Sequence, residues 1–197
     1  MTAPAPVPAR AARPVVRRAA MLAVVLLVVS GCSSLRGTGD GGYVEQPGSI
    51  AQIAVEDRDE PIELAGDTLE GEPLDVADLR GEVVVLNVWG SWCPPCRTEV
   101  PFLVEADAEL DVPFVGVNIR EEVAPALAFE RKSGIDYPSI HDQASEALLG
   151  LGRYAPRSPP VTIVLDREGR VAAVVSGALT SALTLTELVE EVLAEDG

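Results

Sequence analysis

Residues 83–101 of this 197-residue chain read VVVLNVWGSWCPPCRTEVP. The stretch opens with a β-branched apolar run, long enough for one buried strand, which stops at Gly90 and Ser91. Two cysteines at C-x-x-C spacing follow, Cys93 and Cys96, and the residues after them have helical composition. We therefore predict a strand, a tight turn and a helix whose first turn carries a dithiol. Backbone N–H groups and the helix dipole at that position favour a thiolate over a thiol, so the pair should be reactive.

The number and spacing of the cysteines also indicate chemistry rather than stability. The chain has three cysteines, and a bridge that closes a four-residue loop restricts the unfolded chain very little. An exported protein that needs disulfides for stability usually carries more of them at wider spacing. A zinc site wants about four ligands, and the one histidine, His141, has no motif around it, so we interpret it as a loop residue. We expect no metal and no external cofactor, with the Cys93–Cys96 disulfide as the redox centre.

The N-terminal segment has the features of an export signal. Residues 1–18 contain four arginines and no acidic residue, and residues 19–29 are an uninterrupted apolar run. A membrane-spanning helix needs roughly 20 such residues, so this shorter run is typical of a signal peptide. The run ends at Val29-Ser30-Gly31-Cys32, which resembles the lipobox of bacterial lipoproteins. That resemblance implies cleavage after residue 31 and a lipid on Cys32; an uncleaved signal anchor or an incidental cysteine are the alternatives.

Residues 32–53 are rich in glycine, serine and polar residues, and we expect them to form a flexible tether. About 20 such residues would let a domain float some 25 Å from the bilayer. The formal net charge of −16 argues against a nucleic-acid partner. These features predict a protein that is attached to the cell membrane by a lipid and works on the extracytoplasmic face.

Residues 54–197 are interpreted as a single α/β domain. A short N-terminal β-hairpin is expected around Gly66 and Asp67, before the first long strand. We predict strands at 83–88, 113–119, 161–165 and 170–176, and helices at 94–110, 125–132, 144–149 and 186–194. This order gives a mixed central sheet flanked by helices.

The segment from Trp92 to Pro101 resembles the active-site motif of thioredoxin-fold proteins, and its trailing Glu99 and Pro101 are similar to the TlpA/ResA branch of membrane-tethered thiol–disulfide oxidoreductases. A second segment, PPVTIVLDREG at 159–169, matches the cis-proline, strand and acidic turn of that branch. The resemblance covers about residues 54–197. It implies a thioredoxin-like fold and electron transfer to or from protein disulfides.

The resemblance also assigns roles around the dithiol. Cys93 would be the nucleophile, since only a thiolate attacks a disulfide sulfur, and Cys96 would resolve the mixed disulfide. Glu99 follows Cys96 by three residues on the same helical face. In the resembled branch a glutamate here is thought to relay protons, and a partly desolvated carboxylate would have a raised pKa suited to that task. The alternative is an ordinary acidic residue that complements the helix dipole.

Four further residues are predicted to affect the partner or the direction of electron flow. Trp92 would offer an apolar contact, and Pro160 resembles the cis-proline whose loop pairs with substrate backbone. Pro159 has no N–H, so one substrate hydrogen bond would be missing. Pro94 and Pro95 remove two donors from the turn that stabilises the thiolate, which should make the dithiol an electron donor.

We therefore expect a reductase of exported protein disulfides. Within the resembled branch the common substrate is apocytochrome c, during cytochrome c maturation, with electrons from a membrane thiol transporter. A foldase that forms or isomerises disulfides is one alternative. A copper-delivery module is another, although such relatives use C-x-x-x-C and a distal histidine. We expect a monomer.

Overall fold

The computed structural model of the chain describes residues 49–195. The predicted export signal, the lipidation site at Cys32 and residues 32–48 of the predicted tether lie outside this range. Within residues 49–195, no helix combines the length and the apolar character that a membrane crossing needs.

The domain is built on a six-stranded mixed sheet and a separate two-stranded hairpin. The strands are β1 (Ser49–Gln52), β2 (Ala65–Asp67), β3 (Pro73–Asp75), β4 (Val84–Trp89), β5 (Phe114–Ile119), β6 (Ser139–Asp142), β7 (Val161–Leu165) and β8 (Val171–Ser176). The α-helices are α1 (Pro94–Glu109), α2 (Val123–Ser133) and α3 (Ala182–Ala194), and short 3₁₀ helices span Val55–Asp57, Val76–Leu79 and Ala147–Tyr154. The sheet order is β1-β8-β7-β4-β5-β6, with β4, β5 and β6 parallel and the other pairs antiparallel.

Apolar layers cover both faces of the sheet, which explains why β4 is a continuous apolar run rather than an alternating one. Successive strand residues point to opposite faces, so Val85 packs in the layer formed by α1 and α3, and Leu86 packs in the opposite layer. That opposite layer includes residues next to the hairpin, such as Leu64, and residues of the Ala147–Tyr154 helix. β4 is buried along its whole length, so it holds the turn that follows it in a fixed position.

The pairing of β4 with β7 brings two distant segments of the chain together. The strands are antiparallel with Val88 opposite Val161, so Pro160, just before β7, lies beside the carboxyl end of β4. α1 starts a few residues after the same strand end. The topology therefore places the C-x-x-C turn and the Pro159–Pro160 segment at one edge of the sheet.

Three sequence predictions need correction. Residues 49–52 were expected in the tether, but they form β1, whose residues are exposed and whose backbone pairs with β8 from Ser49 opposite Ser176. β6 was not predicted because its four residues include polar side chains, and His141 therefore lies in a strand rather than a loop.

The hairpin exists, but its turn follows Asp67 instead of including Gly66. A Cβ on Gly66 would lie 2.8 Å from Cγ2 of Ile140, so this glycine permits close packing against β6. The left-handed turn residue is Gly71, with φ of 88°.

Candidate active site

A disulfide joins Cys93 and Cys96 at the start of α1. Cys93 is the N-cap residue, and its Sγ accepts a hydrogen bond from the backbone N–H of Cys96 at 3.2 Å. Pro94 and Pro95 occupy the first two helical positions, where neither has an N–H to donate. Of the first three helical residues, Cys96 is therefore the one whose backbone N–H is available to the Cys93 sulfur.

The two cysteines are enclosed in the oxidised state. Cys93 is 2% exposed and Cys96 is fully buried. They pack in a small apolar cluster with Leu69, Trp89 and Ala126. Trp89 is 1% exposed and is therefore a core residue. Little of Cys93 is therefore exposed to a partner thiolate in the oxidised state.

The Pro159–Pro160 segment faces the nucleophile, with a cis peptide bond between the two prolines. The carbonyl oxygen of Pro159 lies 3.7 Å from Sγ of Cys93. The carbonyl of Pro160 accepts a hydrogen bond from the N–H of Gly177 at 3.1 Å. The structure thus brings Pro159, Pro160 and the C-x-x-C turn together, as the sequence resemblance implied.

Trp92 lies on the surface beside the disulfide, with 47% of the residue exposed. Its indole Nε1 donates to the carbonyl oxygen of Ile119 at 3.1 Å. The ring also covers Gly90, because a Cβ on that glycine would lie 2.5 Å from Nε1. An exposed, anchored indole is suited to contact a partner, and this role remains a prediction.

Glu99 is fully buried on the inner face of α1. Its Oε1 accepts from Nδ2 of Asn87 at 2.9 Å, and its Oε2 accepts from the backbone N–H of Leu179 at 3.0 Å. Desolvation raises the pKa of Glu99 to about 7, and the two hydrogen bonds oppose that rise without cancelling it. The raised pKa agrees with the sequence-based expectation. Asn87, which also donates to Oγ1 of Thr162, was missed because its polar side chain lies within an apolar run.

Glu121 is a second buried glutamate near the site, and no sequence motif predicted its role. One carboxylate oxygen accepts from the N–H of Ser91 at 2.9 Å and from Nδ2 of Asn118 at 3.0 Å, and the other accepts from the hydroxyl of Ser91. Nε2 of His141 lies 2.8 Å from the backbone carbonyl of Glu121. Arg120 precedes it in the left-handed region, with φ of 54°. A usable signal existed, since Glu121 lies two residues after the end of β5, the parallel neighbour of β4.

The groups around the disulfide are suited to thiol–disulfide exchange. Across residues 49–195, no group of three or more histidine, cysteine, aspartate or glutamate side chains could hold a metal ion. What the site contains is a disulfide at a helix start, a carbonyl oxygen opposite its outer sulfur, and a buried carboxyl group one helical turn beyond its inner cysteine.

Comparison with known proteins agrees with this geometry. The family model described as Redoxin matches residues 55–190. The chain belongs to the Redoxin family. Its thioredoxin-like α/β fold, with a mixed central sheet and an N-terminal hairpin, confirms the predicted fold class.

Among similar proteins, the thiol-disulfide oxidoreductase ResA of Bacillus subtilis is 30% identical over 116 residues, which is 57% of this chain and 63% of that protein. The chain thus spans less than two thirds of that relative's length. A DsbF homologue from Corynebacterium diphtheriae is 31% identical with a TM-score of 0.67, covering 78% of this chain and 96% of that one. A secreted thiol-disulfide isomerase from Corynebacterium glutamicum is 30% identical with a TM-score of 0.69, covering 80% and 96%. The resemblance to the ResA branch is therefore confirmed.

Proposed function

We propose that this protein is a thiol–disulfide oxidoreductase that reduces disulfides of exported proteins. The observation that carries the proposal is the Cys93–Cys96 disulfide at the start of α1 with the buried carboxyl of Glu99 behind it. Similarity to ResA and to the two corynebacterial structures supports the same activity.

The reaction begins from the reduced protein. The Cys93 thiolate attacks one sulfur of the substrate disulfide, the substrate S–S bond breaks, and the departing thiolate takes a proton. The Cys96 thiol then loses its proton and attacks the Cys93 sulfur, which releases the second substrate thiolate. Two electrons pass to the substrate, which gains two protons as it becomes a dithiol, and the protein is left as the disulfide.

Glu99 is the proposed proton acceptor for Cys96. Cys96 is fully buried, so bulk water has no direct access to its thiol. A carboxyl with a pKa near 7 takes up and releases protons at the pH where exchange must occur. Its two hydrogen-bond donors, Asn87 and Leu179, hold the charged carboxylate in place.

The direction of electron flow is proposed to be reductive. Pro94 and Pro95 withhold two backbone donors from the Cys93 sulfur, which weakens stabilisation of its thiolate relative to a turn with free N–H groups. We further propose, from the resemblance to ResA, that the substrate is apocytochrome c and that a membrane thiol transporter supplies the electrons. In this proposal Cys32 carries the lipid that keeps the domain at the extracytoplasmic face of the membrane.

A second candidate is a foldase that forms or isomerises disulfides. The similarity to a protein described as a secreted thiol-disulfide isomerase favours it. The two functions differ in reduction potential and in partners, so measuring these two properties distinguishes them.

The deciding experiment captures the substrates as mixed disulfides with Cys93. The Cys96→Ser variant should hold Cys93 in mixed disulfides that non-reducing electrophoresis and mass spectrometry identify, and the Cys93→Ser variant is the matched control, which should capture nothing. Captured apocytochromes together with a reduction potential well below the roughly −120 mV of a strong oxidant support the proposal. Capture of many unrelated exported proteins, with a potential near that value, would support the foldase instead.

A further inference from the structure

A cavity of about 430 Å³ lies at the β6 edge of the sheet, apart from the disulfide and the hydrogen bonds of Glu99 and Glu121. Its walls come from the hairpin turn (68–70), the carboxyl half of α2 and the segment 135–139 that leads into β6. A hydrogen bond of 2.9 Å from the N–H of Leu69 to the carbonyl of Ser139 joins the hairpin to β6. The cavity is therefore framed by secondary structure and not by a loop alone.

Two buried polar atoms on residues that line the cavity have no hydrogen-bond partner among residues 49–195. They are the hydroxyl of Tyr137 and Oε1 of Glu130. Tyr137 is 7% exposed, and its ring is held by a contact with Phe114 at 5.7 Å between centroids. Buried polar groups are almost always paired in folded proteins, so two unpaired ones beside the same cavity require an explanation.

The charges of the walls indicate which ligand would pair these atoms. Three carboxylates line the cavity, from Glu70, Glu130 and Asp136, against one cation, Arg131. Burial raises the pKa of Glu130, a hydrogen bond to Ser139 opposes this, and the charge of Glu70 adds to the rise. A positively charged donor in the cavity would offset this excess of negative charge and bond to the unpaired acceptor.

The cavity is separated from the disulfide by one layer of apolar side chains. Leu69 lines the cavity and also packs in the cluster that contains Cys93 and Cys96. Leu127 lines the cavity as well and packs against that cluster. The cavity and the disulfide cluster therefore share a wall, and this links the cavity to a polypeptide bonded to Cys93.

We propose that this cavity binds a guanidinium or ammonium group carried by the polypeptide that engages the disulfide, and that it contributes to the choice of partner. The proposal rests on the proposed oxidoreductase function for the source of the cation. The chemistry of the cavity itself does not depend on the oxidoreductase function.

The cavity is tested first without any redox reaction. The ¹⁵N-labelled, oxidised full chain is titrated with N-acetyl-arginine-N-methylamide, and the citrulline analogue serves as a neutral probe of the same shape. We expect saturable shifts at the amides of Glu70, Glu130 and Tyr137 with the arginine probe alone. Glu130→Gln should weaken binding at least fivefold, and Tyr137→Phe, which keeps the ring packing, about twofold. The exposed Glu190→Gln, with the same charge change, should leave the affinity intact. Equal shifts with both probes, or an unchanged affinity in Glu130→Gln, would overturn the proposal.

The second test asks whether the cation belongs to the partner. Disulfide peptides with arginine or citrulline near the cysteine are compared as substrates. We expect a KM at least threefold lower for the arginine peptides with similar kcat, and loss of the difference in Glu130→Gln. Binding of the free probe with equal KM values would overturn the assignment to partner recognition. Absence of turnover for every peptide would contradict the proposed function, whereas the probe titration reports on the cavity by itself.

Discussion

Two buried glutamates lie near the same disulfide and are held in different ways. Glu99 is fully buried and receives two hydrogen bonds, one from a side-chain amide and one from a backbone N–H. Glu121 is 8% exposed and receives three, two of them from Ser91. Asn87 and Leu179 therefore hold Glu99 inside the domain, whereas Glu121 binds Ser91 and fixes the segment that carries the cysteines. Burial raises the pKa of Glu99 into the range of a proton-transfer group, whereas two hydrogen bonds from Ser91 make Glu121 a positioning group.

The largest effect is expected when the positioning group is removed. Glu121→Leu leaves the N–H and hydroxyl of Ser91 and the amide of Asn118 without their acceptor. Unpaired buried donors cost about 1–3 kcal/mol each, so we expect a loss of about 3 kcal/mol or more in the free energy of unfolding, measured in urea. Glu105→Leu, the same change on the exposed side of α1, should cost under about 0.5 kcal/mol. Equal losses in the two variants would contradict the positioning role.

The next effect concerns the pH dependence of stability. Glu99 has a pKa of about 7 in the folded chain against an ordinary value of 4.5. The folded state therefore binds this proton more tightly, and stability falls as pH rises between those values. Between pH 5 and pH 7.5 the loss from this group should be about 2 kcal/mol.

Glu99→Gln cannot titrate, so its unfolding free energy relative to the native chain should rise by about that amount over the same interval. Urea unfolding at both pH values measures this, with Glu105→Gln as a control that should show no such change. A constant difference between Glu99→Gln and the native chain would show that Glu99 does not titrate in this range.

A smaller effect separates the hydrogen-bond partners of the two glutamates. The hydrogen bond from Asn87 lowers the pKa of Glu99, so Asn87→Ala should raise it above 7. Asn118→Ala removes a donor to Glu121 and should leave the titration of Glu99 unchanged. Carbon-13 NMR of the Glu99 carboxyl carbon measures both. A downward shift in Asn87→Ala would be inconsistent with the hydrogen bond seen here.

The smallest effect is expected at Trp92. Trp92→Phe loses the hydrogen bond from Nε1 to the carbonyl of Ile119 at a surface position. We expect a cost of about 1 kcal/mol in urea unfolding, well below that of Glu121→Leu. A cost as large as that of Glu121→Leu would show that the indole of Trp92 positions this segment as much as the carboxylate of Glu121 does.

The sequence predicted the parts of the fold that local patterns determine. β7 is found at the predicted residues 161–165, and α1 begins at the predicted Pro94. β1 and β6 were missed because each is a short edge strand whose position depends on pairing with a distant partner, β8 and β5 respectively. Edge strands have one neighbour and need little apolar sequence, so their composition resembles that of loops.

The candidate site also divides into residues that local patterns predict and residues that depend on distant contacts. Cys93, Cys96, Glu99 and Pro160 were predicted from motifs, since local spacing or a known pattern identifies them. Asn87 contacts Glu99 because α1 packs on β4, and Glu121 contacts Ser91 because β4 pairs with β5. No local pattern encodes a contact between Glu121 and Ser91, which are separated by 30 residues.

The central claim is that Glu99 accepts the proton of Cys96, and the direct test is the rate at which Cys96 resolves a mixed disulfide. Reduced protein is mixed with an aromatic disulfide in a stopped-flow instrument, and release of the second aromatic thiol is followed from pH 5 to pH 9. The account predicts an inflection near pH 7 in the native chain. In Glu99→Gln it predicts at least a tenfold slower rate at pH 7 and an inflection moved toward the ordinary thiol value of about 8.5. Identical rate profiles for the two proteins would contradict the claim.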